Sequence, residues 1–481
     1  MGNQMTRIGN AHNKKTETAR VSAPASKTTQ SSSVIDNGHN YHSQFFPIDC
    51  LAKILLTHAQ REEYSHGITK SIFTKYLFPN YPNLSEKLFT YLYHYSNSST
   101  PYLTVPAFKQ QTEKFLAVMN DQKVLENYVK MYSNINGNGE VTSGFLKELL
   151  MICYQIATNS TGLALCPHLE PLINSITTSC FHGKETLSTS YVSNWIWQHC
   201  PNVISGLHRF VIHVLTTAYR NDKAPVAKEQ LSLEVDTPAA ENSISQNGLP
   251  LSYIWILSST LPVVYLQGNI VNKDIANVVI ASSTGNIVPR HWTLLYSSNE
   301  HGTGANRFLH HVLGYRGPTI LFIRAESLNK DVERPTFCVC SAVEWRESHL
   351  YWGDEDSICV EIFPSYKIVE KGTKTLYLNT GIRGYPHGLR FGSNPRSPSI
   401  SIDDSFSSVS VTGVPYRIAN LEVWGCGNQQ LRERQLDIKK WQVKEAEKQR
   451  IVKLSAAEWL DHPDRYLLEL AGRTSYNKSN N

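Results

Sequence analysis

From Phe45 to about Tyr219 the apolar residues recur at helical spacing. Ile48, Leu51, Leu55 and Leu56 make one stripe, and Leu84, Leu88, Leu92 and Tyr95 a second. Phe115, Val118, Leu125, Tyr128 and Tyr132 carry the pattern on, which predicts an all-helical region over 45–219. Residues 220–250 lose periodicity; past Arg220 they carry five acids against Lys223 and Lys228, and they include Pro225 and Pro238. That composition predicts a linker. Past Leu251 the pattern becomes short apolar runs of period two, punctuated by Gly, Pro and Asn. It predicts strands at 291–298, 319–327, 336–345, 357–366, 375–380, 398–404 and 418–426, packed as an antiparallel sandwich. One amphipathic helix is predicted after Gly302, where Phe308, Leu309, Val312 and Leu313 share a face. The chain closes with a charged helix over 429–454 and a shorter one over 455–472, opened by Ser455 with Glu458 as a capping box.

Within the helical region, NINGNGEVTSGF at 134–145 has the layout of an EF-hand loop between helical stretches 121–132 and 143–157. Asn134, Asn136 and Asn138 take the first, third and fifth positions, and Gly139 makes the turn. The twelfth position is Phe145, so the bidentate carboxylate is missing, and Glu140 stands where a backbone carbonyl normally ligates. A dication needs compensating charge from its oxygens, so calcium binding is not expected. HGITKSIF at 66–73 resembles half of another such loop, also without ligands. The region therefore reads as EF-hand-like, kept for shape. No metal and no cofactor are expected.

Composition narrows the classes. Of 481 residues, 41% are apolar, ample for packed cores, and the net charge of +5 is too mild to argue for nucleic acid. The densest apolar stretch, 249–266, is broken by Pro250 and Pro262, so no membrane span is predicted. The nine cysteines are scattered without a C-x-x-C pair, which fits reduced thiols in the cytoplasm. Cys338 and Cys340 would share one face of a strand as small buried groups.

The first residues, MGNQMT, match a myristoylation signal: Gly2 is exposed once Met1 is removed, and Thr6 supplies the hydroxyl. One acyl chain holds a membrane only marginally. Arg7, Lys14, Lys15, Arg20 and Lys27 against the lone Glu17 would supply the second attraction, to an anionic membrane surface. Segment 20–40, rich in Ser, Thr, Ala and Asn, predicts a disordered tether within a 1–44 tail.

Seven blocks then stand in a telling order: WTLLYS with His301-Gly302, GYRGPTILFIR at 314–324, FCVCSAVEW at 337–345, YWGDED at 351–356, CVEIFP at 359–364, GLRFG at 388–392 and LEVWGC at 421–426. In order and spacing they resemble the TLDc domain family over 251–427. With the EF-hand-like helices and the lipid signal, the chain is similar to that family's myristoylated, mTOR-associated subgroup. The resemblance implies an α+β architecture in which a two-sheet antiparallel β-sandwich with peripheral helices follows the helical domain. It picks out Trp292, Tyr296, Ser297, His301, Gly302, Gly353, Phe391, Gly392, Trp424 and Gly425 as signature positions. It further implies binding to vacuolar ATPase subunits, contact with TOR-pathway proteins at the cytosolic face of lysosomal membranes, and a part in oxidative-stress resistance. The chain departs from the family's usual Gly/Ser-rich, Phe-containing segment after Asp404, where it reads SFSSVSVTGVPYR.

No P-loop, G-x-S-x-G, H-E-x-x-H or dinucleotide fingerprint occurs, and no catalytic residue is assigned. His291, His301, His310, His311, Glu344, Asp354, Glu355, Asp356 and Cys426 lack a spacing that forces a constellation; turn, cap and solvated roles fit them better than peroxide chemistry. The tryptophans Trp292, Trp352 and Trp424 read as core. In the charged helix, Arg432, Arg434, Lys439, Lys440, Lys444, Lys448, Arg450 and Lys453 face four acids, and Leu431, Ile438 and Trp441 make a thin apolar stripe. Two readings are open: a solvated helix lying on the sandwich, or a projecting helix that meets a partner through Trp441, Arg434, Ile438 and Lys444. Trp459, Leu460, Tyr466, Leu467 and Leu470 would dock the last helix on the core or on a partner. The expectation is a non-enzymatic adaptor; the alternative is a redox-protective enzyme using Cys426 or Cys359, and a calcium sensor is the third option.

Overall fold

Nine helices make up the N-terminal region among the described residues: α1 (Phe46–Glu63), α2 (Lys70–Leu77), α3 (Pro82–Ser96), α4 (Val105–Leu116), α5 (Asp121–Met131), α6 (Ser143–Thr158), α7 (Leu169–Phe181), α8 (Thr189–His199) and α9 (Ser205–Thr217), with short strands β1 (Glu140–Thr142) and β2 (Thr186–Ser188). The computed structural model describes residues 46–134, 139–158, 168–220, 248–266, 289, 291–327, 334–450, 467, 470 and 471. Gly2 and the basic tail, Asn136 and Asn138, residues 221–247 of the linker, Cys166, and the capping box with Trp459, Leu460 and Tyr466 lie outside these residues.

The helices form two pairs of EF-hand-like motifs. Val141 of β1 pairs with Leu187 of β2, and Ile68 pairs with Leu103 through backbone bonds of 2.8 and 2.9 Å. After each of these four residues comes a hydroxyl, Thr69, Thr104, Thr142 or Ser188. Its oxygen accepts from the backbone N–H three residues on, that of Ile72, Ala107, Phe145 or Tyr191. Counting the paired residue as position eight, these last four stand at position twelve, where a calcium-binding hand carries its carboxylate. Hydroxyl caps fasten the exit helices instead, each worth about 1 kcal/mol. At Phe145 the chain supplies its own cation: the Lys87 ammonium lies 4.5 Å from the ring centroid and 3.4 Å from Glu148.

The stretch Leu251–Thr260 is a helix, α10, and not the first of the short β runs expected past Leu251. Every residue from Ser252 to Thr260 is buried, so no polar face exists to reveal the period. Its aromatic side chains point to both halves of the molecule. Trp255 meets Tyr154 of α6 edge-on at 5.4 Å, while Tyr253 lies 6.5 Å from Phe322 and 6.0 Å from Phe363 of the sheet.

Ten strands follow: β3 (Thr293–Ser297), β4 (Thr319–Ser327), β5 (Thr336–Ser341), β6 (Ile358–Phe363), β7 (Lys367–Lys371), β8 (Leu376–Asn379), β9 (Gly388–Phe391), β10 (Ile400–Ile402), β11 (Ser408–Val411) and β12 (Val414–Gly425). Between β3 and β4 lie α11 (Ser298–His301) and α12 (Ala305–Val312), and α13 (Gln429–Arg450) comes last. The strands are antiparallel and joined in one hydrogen-bonded path, β7-β6-β5-β4-β12-β11-β10-β9-β8, with β3 also on β12. This differs from the two separate sheets expected. β12 pairs with β4 from Tyr416 to Gly425 and with β11 from Val414 to Arg417, so it belongs to both halves. The sheet still packs on itself: Leu321, Ile323, Val339, Leu421 and Val423 share a core with Leu378, Leu389, Phe391, Ile400 and Val409.

On the opposite face, Ile320, Phe322, Cys338, Cys340, Ile358, Val360 and Trp424 join the core of the helical region. Cys338 and Cys340 do lie on one buried face. Polar contacts cross the same boundary. The Ile368 N–H donates to His199 Nδ1 at 3.1 Å, the Asn202 N–H to the Ser259 carbonyl at 3.0 Å, and Thr260 and Tyr366 share a hydroxyl–hydroxyl bond. Phe45–Asn481 is accordingly one compact unit. Tyr95, expected on an apolar stripe, is 46% exposed in the last turn of α3, which ends one residue later at Ser96.

Two expectations follow. Millimolar calcium should leave the thermal midpoint of the full chain where EDTA leaves it, in scanning calorimetry; a rise of several degrees would show that the loops take the ion. Trp255→Ala should cost about 3–5 kcal/mol in urea denaturation, with helical and sheet signals moving in one transition.

Candidate functional site

Helix α13 starts where three glycines let the chain pass close to Tyr315. A Cβ on Gly425 would stand 2.6 Å from the Tyr315 ring, and one on Gly427 would stand 2.5 Å from Leu431. The Tyr315 hydroxyl accepts the Gly427 N–H at 2.8 Å, and Asn428 Oδ1 then caps the helix by accepting from the Leu431 N–H at 3.0 Å. Two turns on, Gln435 is fully buried and its amide donates to the carbonyls of His311, Val312 and Leu313 at 3.0, 3.4 and 3.1 Å. Those carbonyls are the unpaired C-terminal end of α12. Lys439 Nζ donates to the His311 carbonyl at 3.4 Å, adding a positive charge at the negative end of the helix. The first half of α13 is therefore fixed by a neutral donor and a cation placed on a helix terminus.

Past Lys439 the helix leaves the surface. Trp441 is 64% exposed and Val443 53% exposed, and Lys440, Lys444 and Lys448 are exposed as well. Lys440–Asp437 at 3.6 Å and Lys448–Glu445 at 3.5 Å are solvated pairs that contribute little. Of the four residues proposed for a partner, Arg434, Trp441 and Lys444 are exposed, while Ile438 is half-buried, its side chain turned toward Gly314. Leu467 and Leu470 are 65% and 85% exposed, so neither docks on the core as one of the two expectations had it.

The ten signature positions are spread through the domain and build it. Trp292 is buried and donates to the Tyr265 carbonyl at 3.0 Å; Tyr296 donates to the Gly302 carbonyl at 2.9 Å. The Ser297 N–H donates to His301 Nδ1 at 3.1 Å, closing a cap around His301-Gly302. Gly353 and Gly392 sit in turns, with Gly392 at φ +147° and its missing Cβ only 2.7 Å from the Ser399 nitrogen. Phe391 lies in the core between the two halves of the sheet, and Trp424 in the core shared with the helices. Trp424 also donates to Glu422 at 3.2 Å, which accepts from Arg324 at 2.8 Å and Asn420 at 2.7 Å. Sequence reasoning passed over Glu422; a carboxylate on a strand otherwise buried was its signal. Just before SFSSVSVTGVPYR, Asp403 takes hydrogen bonds from Ser405, Ser407 and Ser408 of that segment, and its Phe406 is buried 5.1 Å from Phe308.

The candidates for redox chemistry are not brought together. His291 Nε2 meets the Cys426 carbonyl at 2.9 Å, not the thiol. Burial pushes the Cys426 and Cys359 thiols well up, the opposite of what a nucleophilic thiolate needs. Glu344 pairs at the surface with Arg316 at 3.5 Å, and Asp354 accepts from Ser357 in a half-exposed turn with Glu355 and Asp356. Among the described residues no group of three His, Cys, Asp or Glu could hold a metal, and no helix is long and apolar enough to cross a membrane. His301, His310 and His311 do cluster, with the His301 and His311 rings stacked at 3.8 Å against the docked part of α13.

Residues 265–427 match the TLDc domain model. The chain is also similar to fungal proteins named Restriction of telomere capping protein 5. The one from Leptosphaeria maculans is 25% identical over 452 residues, 76% of this chain and 70% of that protein. Those from Pyricularia oryzae and Neurospora crassa are 25% and 23% identical over 298 and 286 residues, and there the chain spans about half the relative's length, 47% in each. The match over 265–427 covers β3 to β12, and the longest alignment extends well beyond it. The chain carries a TLDc domain and is distantly homologous to the fungal Restriction of telomere capping protein 5.

Proposed function

We propose that the protein is a non-enzymatic adaptor of the TLDc family's mTOR-associated subgroup, with the projecting half of α13 as its partner-binding arm. The observation that carries this reading is the split in α13. Its first turns are held by Leu431, Gln435 and Lys439, while Trp441 and Val443 are presented to solvent on a helix that the sandwich anchors rigidly. A large aromatic surrounded by Arg434, Lys440 and Lys444 has the composition of an interface anchor, and holding the helix in place beforehand reduces the ordering cost of binding. The partner proposed is a subunit of the vacuolar ATPase, with TOR-pathway proteins at the same lysosomal membrane. Myristate on Gly2 and the basic tail would set the location, and α13 the partner. The burial of Cys359 and Cys426 weighs against the rival reading, a thiol-based protective enzyme.

Trp441→Ala with Lys444→Glu in the full chain should lower recovery of pump subunits in a pull-down by about thirtyfold, the loss of one anchor worth about 2 kcal/mol. Equal recovery from the double variant would end the assignment of α13. Separately, Gly2→Ala should move the protein from the membrane pellet to the supernatant on cell fractionation, without changing pump recovery from detergent extracts.

A further inference from the structure

The contact that docks α13 is crowded with positive charge. His311 presents its ring to that of His301, 3.8 Å away, with His310 edge-on at 5.1 Å and Tyr296 of β3 at 6.1 Å. From α13, Arg432 and Lys439 face the same residue, Lys439 reaching its carbonyl at 3.4 Å, and Arg307 of α12 donates to the His301 carbonyl at 2.7 Å. Besides burial, the neighbours that hold the His311 imidazole down are His301, Lys439, His310 and Arg432, and none of these is a carboxylate. Neutral His311 fits this setting. A proton there would place a charge in a half-buried site beside two cations of α13, Arg432 and Lys439.

We infer that the docking of α13 on the end of α12 is an acid-sensitive latch, opened by protonation of His311. Burial, and then the neighbouring cations, hold the His311 imidazole down at about 4. Release of α13 removes Arg432, Lys439 and part of the burial, so the ring returns toward its ordinary value of about 6.5. The released state then binds more protons below about 6.5, and docking weakens as pH falls from about 6.5 toward 4. Lys439 is itself pushed down to about 8 by burial and Arg432, so it carries its proton in both states below about pH 7 and adds no slope in that window. Gln435 and its three carbonyls do not titrate, and hold the helix at neutral pH. The latch acts on the base of the arm and stands whether or not the arm meets the partner proposed above.

Hydrogen exchange on the full chain tests this, with rates corrected for intrinsic pH dependence. Protection of amides in 431–439 should fall by up to about tenfold between pH 7.5 and 5.5, while protection in β4 and β5 stays constant. His311→Phe, which keeps a ring against His301, should remove the pH dependence and leave docking at pH 7.5 intact; His311→Gln should do the same if Phe disturbs folding. Lys439→Met should make the fall shallower. Constant protection in the wild type, the same fall in both His311 variants, or a parallel loss in β4 and β5 would each overturn the proposal.

Discussion

The rest of the fold depends on one apolar contact, the face of the sheet laid against the helical region, with α10 between them. Ile320, Phe322, Cys338, Cys340 and Val360 would be a solvent-facing patch if the helices were absent. Because both faces of β4, β5 and β6 are covered, these strands read as nearly unbroken apolar runs, where an ordinary antiparallel strand alternates. Trp255 and Tyr253 on α10 fill the seam from opposite sides. At about 25 cal/mol per Å² of apolar surface removed from water, a contact of this kind makes separate folding of the two regions unfavourable.

The EF-hand-like pairs serve this contact. A calcium-binding hand draws part of its order from the ion; here Thr69, Thr104, Thr142 and Ser188 cap the exit helices and the paired residues Ile68, Leu103, Val141 and Leu187 join the loops. The result is a helical layer whose geometry comes from hydroxyls and apolar packing. It presents Ser175 and His199 to the sheet, where they bond to the Ile362 carbonyl and the Ile368 N–H.

From that platform the C-terminal helix takes its direction. Tyr315 and the nearby glycines set its start, and Gln435 fixes its angle by satisfying carbonyls that α12 cannot satisfy itself. The same residues that anchor the helix bring Arg432 and Lys439 against His311, so stability at neutral pH and sensitivity to acid have one structural origin.

The sequence by itself determined the class of each region and much of its detail. A short apolar run located β4 from Thr319 to Ser327, helical spacing located α5, α6 and α12, and Phe145 stood out where a calcium-binding hand carries its carboxylate. The repeated apolar-then-hydroxyl pairs Ile68-Thr69, Leu103-Thr104, Val141-Thr142 and Leu187-Ser188 are also legible, yet the loops before Leu103 and Leu187 carry no EF-hand ligand pattern to mark them. Other features had no local signature. A segment buried on every side, such as α10, shows no period, so its helical state follows from what surrounds it. β12 reads as one strand, and its double pairing, which joins two expected sheets into one, comes from neighbours distant in the chain. The stripe of α13 likewise looked uniform from Leu431 to Trp441. Tertiary structure alone decided where docking ends and projection begins, because that boundary is set by where the carbonyls of α12 lie beneath the helix.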